Sequence, residues 1–495
     1  MSNSSERPIM EQVIIISVLL TGAVLAAFGA TLGMAGAVQL TSRRSHGYLH
    51  WMFYAILLMQ VLSVVLSGRD VTVPLSVSEL DVPIQHPLQS LAQPLVSLLL
   101  LTIACERILT HWLKRDKAVL MPSAILVGFF IFWLGTVAAP GLLGANPKLS
   151  HAYIYPLVIG MAAVLAQSDE LNHAFRAARN ALLLFMVAGL LLIPFKTSMV
   201  LETSYSQGLL PGVPRLAGLA THAVSLGMLA QIGLLCLLAC PYRRMWLNRL
   251  AWAIGLGVLF MAQSKTAWIS FILCSACIIA VRGGPAFWRR VGDPVRPEFG
   301  IASLLAFMAA VAALLLLLIF GDVGGRLGSF FDSAEGAQLA SLTGRDRIWA
   351  VAWDEWQRNP VFGYGPSLWD ASFRASIGMP AATHGHNQFM DTLARAGIVG
   401  VVALVVYALV LLVLSVRYAR ASHGISLALF VALAMRSISE VPLLLFGYGS
   451  ELVTHMLLLM TLASAASDAR LARARPAPHR PASTAAFTTR QPSAT

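Results

Sequence analysis

The sequence is poor in charge. Asp, Glu, Lys and Arg make up 12% of its 495 residues, about half of the roughly 25% usual in soluble domains. Several water-soluble domains could not cover their surfaces with so few ionic groups, and a chain that is 57% hydrophobic is no disordered polymer. Acid is scarcer than base, with 23 carboxylates against 35 Lys and Arg and a formal charge of +12. In a soluble chain that excess would suggest nucleic acid. Here the basic residues sit in loops between apolar runs, so they read as the cytoplasmic anchors of a membrane protein, and no nucleic-acid partner is expected. The five cysteines (Cys105, Cys236, Cys240, Cys274, Cys277) all lie in apolar stretches. They form no disulfide or zinc framework, and the Cys274-x-x-Cys277 pair is too far from water to offer a thiolate. A Gly-rich phosphate loop, a G-x-S-x-G elbow and an Asp-rich lipid-phosphate motif are also missing.

What is present is a series of long apolar runs, with a mean hydropathy of +0.72. They are long and uniformly apolar, which excludes the short alternating strands of a membrane β-barrel. The reading is an all-α polytopic integral membrane protein with about 12 transmembrane helices of about 20 residues each. Runs fall at 13–38, 48–67, 88–109, 118–138, 151–167, 180–196, 216–239, 247–263, 266–281, 302–320 and 397–416, with a long stretch at 425–467 that can hold one helix or two. The apolar run at the N-terminus is too long for a cleaved signal and is read as retained.

Alternate loops are basic: Arg43/Arg44, Lys114–Lys117, Arg176/Arg179, Arg243–Arg249, Arg282–Arg296, Arg417/Arg420 and the C-terminal tail. The positive-inside rule places these in the cytoplasm and the remaining loops outside. Two helices in the last stretch would give thirteen crossings and an external N-terminus. The expected organisation is a helix bundle over 1–320, a large outer loop over 321–396 containing short helices, C-terminal membrane helices over 397–467 and a disordered basic tail over 468–495. In the large loop, Thr343 is positioned to cap a helix starting near Arg345 and ended by Pro360. Trp349, Trp353 and Trp356 share one face of that helix, as a packing stripe or as a platform for sugar or lipid.

Polar groups at membrane boundaries need partners or duties. On the expected outer side these are Arg215, His222, Lys265, Arg345, Arg347, His384 and His386, with Arg436 and Glu440 in the last stretch. Arg and Lys around one cavity suit a diphosphate, Arg by bidentate hydrogen bonds and Lys as a point charge. A neutral His among them could take a proton from a hydroxyl nucleophile. Such a set could move a group from a lipid diphosphate to an alcohol with neither metal nor cofactor. His384-x-His386 lacks a neighbouring acidic cluster in the sequence, so no metal site is expected. Arg436 and Glu440, spaced i, i+4, read as an ion pair.

These residues resemble the O-antigen ligase family, within the O-antigen ligase/polymerase superfamily. Arg215-Leu216-Ala217-Gly218-Leu219 fits its Arg-x-x-x-Leu element. His386-Asn387, nine further residues, then Gly397 and Gly400 fit its histidine motif. TGRDRIW at 343–349 and SKTAW at 264–268 also look like family segments. The resemblance implies a GT-C-like fold in the bacterial inner membrane, with the active site facing the periplasm. It implies an inverting, metal-independent glycosyltransferase. O-antigen would pass from undecaprenyl diphosphate to a sugar hydroxyl of lipid A–core, completing lipopolysaccharide. His386 would be the general base and Arg215 the diphosphate ligand. Lys265, Arg345, Arg347, His384 and Asn387 are the supporting substrate contacts. The partners expected are those two glycolipids and membrane lipids. An O-antigen polymerase or a protein O-oligosaccharyltransferase would share the donor, and a lipid-linked glycan flippase is the alternative from another class.

Overall fold

The computed structural model describes residues 17, 21, 24, 28–39, 47–72, 86–114, 123–203, 212–320 and 345–474. Thr343, Arg43, Arg44, most of the acidic 68–87 loop, the first part of the large loop and most of the tail lie outside the described residues. After the helical segment 28–39 come α1 (Met52–Leu66), α2 (Pro87–Lys114), α3 (Ser123–Leu143), α4 (Ile154–Val164), α5 (Ser168–Leu191), α6 (Ala223–Ala239), α7 (Met245–Met261), α8 (Lys265–Val291), α9 (Glu298–Phe320), α10 (Arg345–Arg358), α11 (Gln388–Arg417), α12 (Ile425–Ser439) and α13 (Leu452–Ala474). Among the described residues, seven helices are long and apolar enough to cross a membrane, and five apolar helices are shorter. The chain is an all-α multi-pass membrane protein. The 425–467 stretch resolves into two helices, α12 and α13.

Apolar runs locate most helices but misplace several starts. The expected 180–196 span begins at Ser168, because α5 opens with polar turns fixed by a capping box between Gln167 and Glu170. The expected 216–239 span begins only at Ala223. Arg215–Leu216 instead forms a short strand, antiparallel to Leu201–Glu202, and Gly218 turns the chain at φ +55°. His222 then caps α6, its Nδ1 accepting from Ser225 N.

One apolar core runs from Leu49 to Leu462, joining helices on both sides of the large loop. A second, smaller core gathers Ile348, Ala352, Leu368, Trp369, Phe373, Ala382 and Ala394. The two meet along α11, which is broken. Gly397 has φ +61°, ψ −158°, so the helix interrupts its own hydrogen-bond ladder there. The freed groups pair with 360–365: Tyr364 N and Gly365 N donate to the carbonyls of Ala394 and Arg395, and Ile398 N and Val399 N donate to Pro360 and Val361. This repair is what lets a helix break inside an apolar bundle.

A Cβ on Gly397 would stand 2.4 Å from Val361 O, in a left-handed backbone that an L side chain resists. Gly397→Ala should therefore destabilise by about 1–3 kcal/mol. Gly257→Ala, in open space on α7, should be neutral or slightly stabilising. Thermal midpoints in detergent would compare them, and equal midpoints would show that the break tolerates a side chain.

Candidate active site

The end of α12 and the start of α11 are tied together. Gln388 Oε1 accepts from Leu443 N at 2.9 Å, and Asn387 Nδ2 donates to Ile438 O at 3.2 Å. Asn387 also caps α11, its Oδ1 accepting from Met390 N. The 384–386 loop is fastened from below. Asp391 Oδ1 accepts from Gly385 N at 2.8 Å, and its Oδ2 pairs with Arg395 Nε at 2.8 Å. Arg395 also donates to Pro366 O, and Trp349 Nε1 on α10 donates to Gly385 O at 2.8 Å. His386 is held at φ +47°, a left-handed conformation costly for a histidine.

This scaffold aims both histidines at one carboxylate. His384 Nε2 lies 3.1 Å from Glu440 Oε2, and His386 Nδ1 lies 3.7 Å from the same oxygen. The expected Arg436–Glu440 pair does not form. Glu440 stands past the helix end in extended backbone, φ −148° and ψ −177°, so i, i+4 proximity is lost. Arg436 pairs instead with Glu451 at 2.9 Å, and its Nε and Nη1 are buried without partners among the described residues. The acid missing from the sequence neighbourhood of His384 is therefore Glu440, supplied by another helix.

A second arm brings His222 to the cluster. Arg215 faces Glu202 across the two-strand pair, with Nη1 3.4 Å from Oε2, and its Nε donates to Ala262 O at 3.3 Å. Glu202 Oε1 accepts from Ala223 N, next to His222. The turn at 262–264 packs on Gly227 of α6. It presents Lys265, exposed, as the first residue of α8, which Ser264 caps. Arg69 fastens this arm: its guanidinium donates to the carbonyls of Met199, Gly218, Ala220 and Thr221. Arg345 lies one turn before Trp349 on α10, half-buried, and Arg347 is exposed. Among the described residues, no hydrogen bond or ion pair ties either to the histidines.

Burial alone would raise the Glu440 carboxyl, but the contacts with His384 and His386 and the nearby His222 outweigh it and hold the group well below the usual carboxylate range. Burial pushes His222 below the ordinary imidazole value, with the charge of Glu440 opposing. The site thus holds one firmly ionised carboxylate among imidazoles.

His222, His384 and Glu440 each bring a ligand atom within 4.8 Å of the others. The donor chemistry fits a metal poorly. His384 Nδ1 accepts from His386 N at 3.1 Å and His222 Nδ1 from Ser225 N at 3.3 Å. A backbone N–H can only donate, so each neutral ring carries its proton on Nε2. Coordination through Nε2 would require a proton on Nδ1, against that amide.

Residues 250–405 match the O-antigen ligase family model. The family segment contains Lys265, Arg345, Arg347, His384, His386 and Asn387, and leaves Arg215, His222 and Glu440 on flanking elements that the fold brings in. No curated protein gave a match. Among solved structures, the chain is similar to one from a structure described as “Structural coordination of polymerization and crosslinking by a peptidoglycan synthase complex”. The identity is 18% and the TM-score 0.34, over 72% of this chain and 97% of that one.

Two tests follow from the geometry. Arg69→Lys keeps the charge but cannot span four carbonyls. Amide exchange in 199–203 and 212–222 should rise about tenfold, the effect of losing about 1.4 kcal/mol of local stability, while α5 stays protected; unchanged exchange would show that Arg69 is not the fastener. Because Glu440 has a lowered folded-state pKa, its contribution to stability is present above about pH 4.3, the unfolded value, and fades as pH falls below it. The stability gap between wild type and Glu440→Gln should therefore be full at pH 7 and narrow at pH 3. A gap that widened on acidification would reverse the assigned charge.

Proposed function

We propose that the protein is an O-antigen ligase: a metal-independent, inverting glycosyltransferase of the bacterial inner membrane, working on its periplasmic face. The observation that carries the mechanism is the pairing of His386, inside the matched family segment, with Glu440, which lies outside it. His386 Nδ1 is buried, has no hydrogen-bond partner among the described residues and faces an ionised carboxylate at 3.7 Å. That arrangement suits an imidazole that keeps Nδ1–H toward Glu440 and offers Nε2 to an acceptor hydroxyl. The distance is beyond a hydrogen bond in the free protein, as catalytic contacts often are before substrate binds.

In the proposed step, the hydroxyl oxygen of a lipid A–core sugar attacks the anomeric carbon of the donor glycan from the face opposite the diphosphate. The new C–O bond forms as the bond to the diphosphate oxygen breaks, with inversion. The hydroxyl proton passes to His386 Nε2, and Glu440 stabilises the imidazolium. The electron pair of the broken bond leaves on undecaprenyl diphosphate. Lys265 at the N-terminus of α8 offers a charge and a helix dipole to that leaving group. Arg215 lies behind it, so a diphosphate would compete with Glu202 for the guanidinium. Arg436 adds a second buried cation, and Arg345 and Arg347 would contact donor or glycan only at the rim. Asn387 positions the loop through its cap, and His384 orients Glu440.

The test is in vitro transfer with purified protein, undecaprenyl-diphosphate glycan and lipid A–core, with EDTA present. A shifted lipid A–core ladder is expected. His386→Ala and Glu440→Gln should each lower kcat by about 10²–10⁴-fold, the range for a general base. Arg215→Lys should stay impaired if bidentate phosphate contact matters. Elongation of the donor without transfer to lipid A–core would make the protein a polymerase. Full activity in His386→Ala, or inhibition by EDTA reversed by added metal, would remove the mechanism.

A further inference from the structure

Residues 203–292 contain no Asp or Glu, so the arginines between α6 and α7 have no acid near them in the chain. Arg243 and Arg244 follow α6, and Arg249 lies on the second turn of α7; all three are exposed. They stand at the opposite end of α6 from His222, a helix of 17 residues, or about 25 Å, away. A fourth arginine comes from α5. Arg176 is exposed and near enough for its charge to act on the Cys240 thiol. Among the described residues, none of the four side chains has an ion pair or a hydrogen bond.

The loop that carries them is fixed. The Arg179 guanidinium lies 3.6 Å from the centre of the Tyr242 ring and donates to Cys240 O. Tyr242 O–H donates to Asn180 Oδ1 at 2.7 Å, and Tyr242 N donates to Asn248 Oδ1 at 3.1 Å. The backbone of Arg243 and Arg244 is thus held from α5 on one side and from α7 on the other. A ligand bound there has little main chain left to order.

An apolar stripe runs on from these charges. Met245, Trp246, Leu250, Leu256 and Phe260 are exposed along one side of α7. Cations at the head of an apolar helix stripe match a phospholipid, with phosphate on the guanidiniums and an acyl chain along the helix. A free phosphate would use the charges and leave the stripe unused. A choline or ethanolamine head would bring an ammonium among arginines that have no carboxylate to receive it. A phosphodiester head without an amine adds no cation. The end of α8 differs, because Arg289 and Arg290 have Asp293 and Glu298 close by in the chain.

We infer that this end of the bundle binds an anionic phospholipid, its phosphate on Arg243, Arg244 and Arg249 and an acyl chain along α7. The surface is separate from the histidine cluster, so the inference does not rest on the ligase reading.

Native mass spectrometry of the full chain, released from nanodiscs of equal phosphatidylglycerol, phosphatidylethanolamine and phosphatidylcholine, tests it without any glycan substrate. Phosphatidylglycerol should dominate the retained lipid. The double variant Arg243→Gln/Arg244→Gln should reduce it about thirtyfold, the equivalent of about 2 kcal/mol. Arg289→Gln/Arg290→Gln removes the same charge from the end of α8 and should leave retention unchanged. Inorganic phosphate added at matched ionic strength should not displace the lipid. Adducts in the nanodisc ratio, dominance of either zwitterionic lipid, an equal loss in the α8 variant, or displacement by phosphate would each overturn the assignment. If the first double variant fails to fold, Arg249→Gln replaces it, with about a fivefold loss expected; undiminished retention there overturns the assignment alone.

Discussion

A single ionised carboxylate organises the candidate site. Glu440 is buried, and only the imidazoles around it make its charge tolerable. The imidazoles come from two constraints: His384 and His386 from the strained loop before α11, and His222 from the cap of α6. Removing the carboxylate would leave donors facing nothing in a poorly hydrated place, so the loop, the end of α12 and the cap of α6 stand or fall together. The supporting bonds of Asp391, Arg395, Trp349 and Gln388 fix the position of the histidine loop.

Much of this was legible from residue order. Apolar runs located most of the helices, and the spacing from His386 to Gly400 marked the loop and the helix it opens. Glycine in that motif also has a visible reason, since Gly397 adopts a backbone that a Cβ would obstruct. The pairing of charges was not legible. Arg436 and Glu440 look like helical neighbours until the helix ends one residue too early. Their true partners lie on other elements, and only tertiary structure brings those close. The same holds for Arg69, a lone arginine in a loop whose four carbonyl partners lie more than a hundred residues away. Helix starts were misplaced where polar first turns or a strand replaced the apolar signal.

The two ends of the bundle hold different buried charges. At the histidine end, carboxylates are matched by imidazoles and arginines, with exposed Lys265 at the rim. At the other end, Arg107 pairs with Glu170 beside the buried Glu106.

The break at Gly397 divides α11 into two mechanical parts. Its first turns are bonded to the 360–365 segment and packed into the smaller core, whereas the remainder packs with the main bundle. The histidine loop therefore stands at a joint, bonded to the smaller core on one side and to the end of α12 on the other. The outer surface of the smaller core can vary without any helix of the bundle having to repack.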